Sequence, residues 1–241
     1  ITMCGRFNVI DNPALRELLE ALDIDLRLPT AVNVAPTEPV PLVRQAAGKR
    51  PVDAISSEVP RPELVPARWW LTPSWAPRVE QKYAMFNARS ETLASSRAFR
   101  RPFARQRGVV PMSSFIEWRR EGSGKQPWSI SAAGGALAVA ALWDVWFGED
   151  AEDPLLSCTL VTTAAAPEFQ PWHARMPVML HPDEYPRWLD NGRPIEAGDP
   201  LFHSVLKFPL ELAPLSTAIG NSRNKSVDLL QPVGQPVVLA G

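Results

Sequence analysis

Proline constrains this chain more than any other feature: 26 of its 241 residues are proline, about twice the usual frequency. Each proline fixes φ and removes a backbone donor, which disfavours the interior of long helices and of central strands. Short strands joined by structured loops suit such a sequence. At 241 residues the chain can bury a core without covalent staples.

Local signals fit that frame. Asn12-Pro13 supplies a cap and a first-position proline, and Leu15, Leu18, Leu19 and Leu22 follow at helical spacing. Asn33-Val34-Ala35-Pro36-Thr37 reads as extended or loop, and Pro39 to Val43 as a strand. Gly48 to Pro66 mixes Pro, Ser and charge and reads as a surface excursion; Trp69, Trp70 and Trp75 then make a dense aromatic cluster. Asn87 to Thr92 reads as a loop entering a helix that ends near Pro102. Val109 to Trp118 is a candidate strand, and Trp118 to Trp128 a hairpin around Gly122-Ser123. Leu137 to Trp143 and Ser157 to Thr163 read as strands, Glu149 to Pro154 as an acidic loop, and Pro182 to Leu189 as a short helix closed by Asn191-Gly192. Many strands with few, short helices predict one α+β domain around a central, mostly antiparallel sheet.

Composition narrows the function classes. The longest wholly apolar run, Leu137 to Trp143, is too short to span a bilayer, and no basic segment followed by an apolar stretch marks a signal peptide; a cytoplasmic protein is expected. Cys4 and Cys158 make no disulfide framework, and with His173, His181 and His203 they show no zinc-ligand spacing. Neither metal nor cofactor is expected. Net charge is −1, so any nucleic-acid binding must come from a local patch.

Five features could carry chemistry. Cys4 is a thiol near the N-terminus: either a small buried apolar residue on a first strand, or, if Met3 is removed, a residue with two adjacent nucleophiles. Its thiol and free α-amine, with pKa values of about 8.5 and about 8, could together capture an aldehyde and close a five-membered thiazolidine. Glu117 lies between Ile116 and Trp118. Strand alternation leaves open whether it faces water or sits desolvated with a raised pKa useful for acid–base work. His173, in Trp172-His173-Ala174-Arg175-Met176-Pro177, is either a structural or a working histidine, whereas His181 and His203 read as surface residues. Asn87 and Arg89 sit two apart, so in an extended chain they point the same way. Finally, Arg97, Arg100, Arg101, Arg105 and Arg107 form a run with no acid from Leu93 to Gly108. Such runs are usually solvated, but neighbouring Trp69 and Trp70 suit stacking on a single strand.

Taken in order, Met3-Cys4-Gly5-Arg6-Phe7, Asn33-Val34-Ala35-Pro36-Thr37, Asn87-Ala88-Arg89-Ser90-Glu91-Thr92, Phe115-Ile116-Glu117-Trp118 and His173-Ala174-Arg175-Met176-Pro177 resemble the motifs of the SOS response-associated peptidase (SRAP) family. Asn221-Ser222-Arg223-Asn224 resembles its closing motif. The resemblance implies a single domain from Met3 to Pro232 with a barrel-like core and short flanking helices. Ile1-Thr2 is read as an unprocessed leader or an added remnant, and residues 233–241 as a tail. It further implies an enzyme that joins Cys4 covalently to abasic sites in single-stranded DNA, with possible lyase and Met-removing activities. Asn87 is then expected to orient the amine or sugar, Glu117 to act as general acid–base, and His173 to shuttle protons. Arg6, Arg89, Arg97 and Arg175 are expected to hold phosphates, and Trp69 or Trp70 to stack on a base. A monomer acting on abasic DNA beside replication-fork proteins is implied. Two positions depart from the family pattern: Trp70 stands where glycine is frequent, and Ala174 where an acid is. Alternative readings are a Cys4–His173 peptidase or amidase and a non-catalytic single-strand-binding module.

Overall fold

A computed structural model describes residues 5–46, 61–148 and 154–241. In chain order its elements are β1 (Phe7–Val9), α1 (Pro13–Ala21), β2 (Ala31–Val34), β3 (Pro39–Gln45), β4 (Pro62–Trp69), β5 (Asn87–Arg89), α2 (Arg100–Arg105), β6 (Arg107–Met112), β7 (Ser114–Glu121), β8 (Gly124–Ala132), β9 (Leu137–Trp146), β10 (Leu155–Ala164), β11 (Arg175–Pro177), β12 (Met179–Leu180), α3 (Tyr185–Leu189), β13 (Leu210–Pro214) and β14 (Val237–Leu239). Short 3₁₀ turns fill several connections.

Two sheets organise them. Strands β3, β4, β6, β9 and β10 close into a five-stranded barrel, because β10 pairs with both β4 and β9. Only the contacts of β10 with β4 and β5 are parallel. The second sheet, in the order β14-β13-β8-β7-β1-β2, is antiparallel throughout. The expected α+β fold, with a mostly antiparallel, barrel-like core and short helices, is what the chain adopts.

The prolines explain the strand lengths. Pro39 and Pro41 sit in β3 ahead of the stretch that β6 covers, which is confined to Val43 and Arg44; the missing N–H groups cost no ladder bond to β6. Pro41 faces Pro66 across to β4. Where β3 and β6 meet, a Cβ on Gly108 would lie 2.8 Å from the Val43 carbonyl oxygen, so only glycine allows the barrel to close there.

Helix α1 starts as its sequence dictates: the Asn12 side chain accepts from the Leu15 N–H at 2.9 Å, and Leu15, Leu18 and Leu19 are buried. The β7–β8 hairpin turns at Gly122, with φ of 56° and Glu121 facing Gly124.

Three boundaries differ from the sequence reading. The apolar run Val109–Trp118 is two strands in two sheets. The chain crosses between them at Ser113, whose N–H donates to the Asn8 carbonyl at 2.8 Å and whose hydroxyl accepts from the Ile10 N–H at 2.9 Å. Pro102 lies within the first turn of α2 rather than ending a helix, a position where its missing N–H is no loss. Pro62–Pro66 belongs to strand β4, and residues 48–60 of the supposed excursion lie outside the described residues, as do residues 149–153 of the acidic loop that ends at Pro154.

Candidate active site

The N-terminal chain enters beside Glu117. Phe7 pairs with Phe115 and Asn8 with Ser114, and the Ile116 N–H donates to the Arg6 carbonyl at 2.9 Å. Carried one residue further, this register sets Gly5, the first described residue, alongside Glu117. Cys4 itself lies outside the described residues.

Alternation along β7 puts Phe115, Glu117 and Arg119 on one face and Ile116 and Trp118 on the other. Ile116 packs with Leu215 and Ile219 in a separate small cluster that Trp118 borders. Glu117 is only 4% exposed, so the water-facing alternative is ruled out. The groups that desolvate it are not its neighbours in sequence. Trp128 is its cross-strand partner on β8. Trp128 meets Trp172 edge-to-face at 5.9 Å, and Trp172 stacks on Phe169 at 6.4 Å. The Arg119 guanidinium lies 5.1 Å from the Trp172 ring centre. The indole N–H groups of Trp128 and Trp172 are buried without a hydrogen-bond partner.

His173 follows this aromatic wall and is half-buried. His173 Nδ1 lies 3.0 Å from the Arg175 N–H and 3.2 Å from the Arg175 carbonyl oxygen, which fixes the ring's orientation. Desolvation is the largest influence on the imidazole and holds its pKa below the ordinary value.

Strands β5 and β11 flank the C-terminal half of β10, with Arg89 paired to Thr162 and Arg175 to Ala164. Ala88 turns into the core while half-buried Asn87 and exposed Arg89 share the other face. Arg175 donates twice to the Glu91 carboxylate, at 2.8 and 2.9 Å, and once to the Thr162 carbonyl at 2.8 Å. These bonds hold Glu91 below the usual carboxylate range. Any phosphate approaching Arg175 must compete with that carboxylate.

Several expected binding residues are placed otherwise. Trp69 is wholly buried between Phe7 and Phe86, its indole N–H donating to the Phe86 carbonyl at 2.9 Å; it cannot stack on a base. Trp70 leans on Phe86 at 5.2 Å and is partly buried. An exposed aromatic ring in this stretch is Trp75, 48% exposed, with the Arg97 guanidinium 4.1 Å from its ring centre. Its sequence signal was a tryptophan set in a Pro-Ser turn, past the end of the preceding strand.

Arg6 spans Asn33 Oδ1 at 2.8 Å and the Ile219 and Gly220 carbonyls at 3.3 Å each, so much of its guanidinium is committed within the fold. Arg107 leaves the basic run altogether: it is fully buried. Cys158 is buried as well, and burial pushes its thiol up, away from nucleophilic use. His181 and His203 are exposed, as expected.

Asn33 was missed as a key residue. It is fully buried at φ of 55°, and its amide donates to the carbonyls of Ile219, Asn221 and Asn224 at 3.0, 3.0 and 3.1 Å. It thereby fastens the C-terminal Asn-rich segment to β2 and, through Arg6, to the start of β1. An Asn ahead of Ala-Pro in the sequence is the one hint of such a turn.

Among the described residues, no group of three or more His, Cys, Asp or Glu side chains could hold a metal ion, and no helix is long and apolar enough to cross a membrane.

Known proteins share this organisation. The chain is 32% identical over 240 residues to the abasic site processing protein YoaM of Bacillus subtilis, covering 95% of this chain and 97% of that one. It is 30% identical over 236 residues to the abasic site processing protein YedK of Escherichia coli, covering 96% and 100%. The crystal structure of a protein from Bacteroides thetaiotaomicron superposes with a TM-score of 0.69 at 19% identity, over 89% of this chain and 93% of that one. The family model described as SOS response associated peptidase (SRAP) matches residues 3–222. The chain belongs to the SRAP family.

Proposed function

We propose that this protein processes abasic sites in single-stranded DNA by covalent capture of the ring-opened sugar at Cys4. The observation that carries the reading is the placement of Glu117: a buried carboxyl at the register where the N-terminal chain enters the fold, walled by Trp128 and Trp172 and followed by His173. The names and full-length similarity of the relatives support the same substrate.

The chemistry balances without a cofactor. With residues 1–3 removed, the Cys4 amine adds to the C1′ aldehyde and gives a carbinolamine. Glu117 protonates the departing hydroxyl, and water leaves as the imine forms. The thiol then adds to the imine carbon, its proton passes to nitrogen, and the thiazolidine closes. One C=O bond is exchanged for one C–N and one C–S bond, with one water released. Asn87 orients the amine or the sugar. His173 moves protons at a sugar hydroxyl. Arg89 and Arg97 hold phosphates, and Trp75 takes the stacking role expected of Trp69.

The test is to mix protein beginning at Cys4 with single-stranded DNA bearing an abasic site and to look for a complex that survives denaturation. Cys4→Ala, and protein retaining Ile1-Thr2-Met3, should give none. An equal yield from the unprocessed form defeats the ring mechanism, and turnover of a peptide without a DNA adduct defeats the whole reading.

A further inference from the structure

Several cations on this surface meet acids: Arg16 pairs with Asp11, Arg44 with Glu63, Arg187 with Asp199, Lys207 with Glu184 and Lys225 with Glu38. The stretch around α2 does not follow that pattern. Arg101 bonds the Ser74 hydroxyl at 2.6 Å and lies 3.6 Å from Asp144. Asp144 is itself buried and already accepts from the Ser74 N–H and Gln106. Arg100 and Arg105 are exposed, and among the described residues neither guanidinium has an ion pair or a hydrogen bond. Two like charges kept unpaired on one short helix repel each other.

The helix that carries them is anchored. Phe103 is buried against Phe202, and the carbonyls of Phe103 and Ala104 accept from Arg107. The arginines therefore project from a fixed turn. Two clefts open beside them. One, of about 270 Å³, is lined by Trp75, Arg97, Arg100 and Arg101. The other, of about 340 Å³, is lined by Arg100, Arg105, Asn191, Gly192 and Ile195. Arg100 lines both. An exposed aromatic ring is present in the first cleft alone, so base stacking is available at the Trp75 end and contact with charge beyond it.

We propose that Arg100 and Arg105 extend the DNA site into a phosphate track that holds the single strand on one side of the lesion, past the Trp75–Arg97 step. This rests on the abasic-DNA reading above and adds a polarity to it. The strand beyond the lesion is gripped by its backbone, without regard to sequence, and only in one direction.

The experiment uses single strands carrying a stable abasic analogue at the 5′ end, the centre or the 3′ end, with affinity measured by fluorescence anisotropy across a salt series. For the parent protein, lengthening the strand on one side of the lesion should raise affinity and lengthening it on the other should not. The Arg100→Glu/Arg105→Glu protein should lose that gain. The milder Arg100→Gln/Arg105→Gln protein should show a log–log salt slope on the long strand shallower by about 1.4, two phosphate contacts at about 0.7 each. Variants that keep the gain, or that lose affinity equally at every strand length, overturn the track. A gain that appears only when the extension is duplex overturns the single-strand assignment. Failure of the parent protein to bind or cross-link any abasic strand strikes instead at the underlying reading.

Discussion

Arg107 and Glu117 are both ionisable side chains buried against tryptophan, and their surroundings differ. Arg107 is held by many bonds. Its guanidinium donates to five backbone carbonyls, those of Phe103, Ala104, Trp188, Asp190 and Arg193. Trp188 lies beneath it and donates its own indole N–H to the Gly108 carbonyl at 2.7 Å. Desolvation still pulls the Arg107 pKa down to about 10, but the hydrogen bonds keep the charge in place. Around Glu117 the aromatic wall is not saturated, because the N–H groups of Trp128 and Trp172 are idle. A buried donor left idle costs about 1–3 kcal/mol. The first region is a rivet joining α2, β6 and α3; the second is the one proposed to carry the chemistry.

The largest expected effect breaks the rivet. Arg107→Ala should destabilise the protein by about 3–5 kcal/mol, because it strands several buried carbonyls at once. Urea denaturation measures it. A loss below 1 kcal/mol, or about the value of an exposed salt bridge, would mean that water replaces the guanidinium freely and that the contrast between the regions is false.

Next in size is a kinetic effect at the other region. Glu117→Gln keeps shape and hydrogen bonding but cannot exchange the proton. Single-stranded DNA binding should stay near normal, while adduct formation at saturating DNA should slow by about a hundredfold, the usual scale of general acid–base catalysis. If the Gln protein matches the parent at every pH, the proton carrier is another group, with His173 the first to test.

A paired substitution compares the regions directly. Trp188→Phe and Trp128→Phe remove the same atoms from buried indoles. Trp188→Phe also removes the bond to the Gly108 carbonyl, whereas Trp128→Phe removes a donor that had no partner. Their cavity costs are similar in kind, so Trp188→Phe should be the more destabilising by about 1–3 kcal/mol. Equal losses would show that the Trp128 N–H is satisfied in solution.

How much of this was legible in sequence follows the range of the forces involved. The start of α1, the Gly122 hairpin and the buried β9 rest on neighbours a few residues apart, and local pattern found them. The split of Val109–Trp118 into two strands rests on Ser113 meeting Asn8 and Ile10, about a hundred positions away in sequence, and no local pattern encodes that. The same limit misplaced Trp69 and one arginine of the basic run. Trp69 and Trp75 carry the same chemistry six positions apart, and only the pairing of β4 with β3 and β10 decides which is core. Arg105 and Arg107 stand in one run, yet Arg107 is drawn inward by the carbonyls of α3 and the turn after it. The order of the five motifs was legible because it belongs to the chain and not to its packing.

The smallest expected effect concerns His173, on the unsaturated side. Burial removes water that would solvate the imidazolium, so the folded protein holds this pKa below its ordinary value of 6.5. The folded state therefore binds fewer protons than the unfolded state between the lowered and the ordinary pKa. Stability from this group is fully present above the ordinary value and is lost as the pH falls through it toward the lowered one. His173→Gln removes the titration. The difference in stability between parent and variant should be constant above neutrality, and it should shift against the parent on acidification. Resonances of His173 in an NMR titration should move at a lower pH than those of a solvated peptide histidine, at about 6.5. A pKa above that figure would mean that a carboxylate faces the ring in solution. His173 would then enter the reaction as a cation and a stronger acid, and the division of labour with Glu117 would have to be reversed.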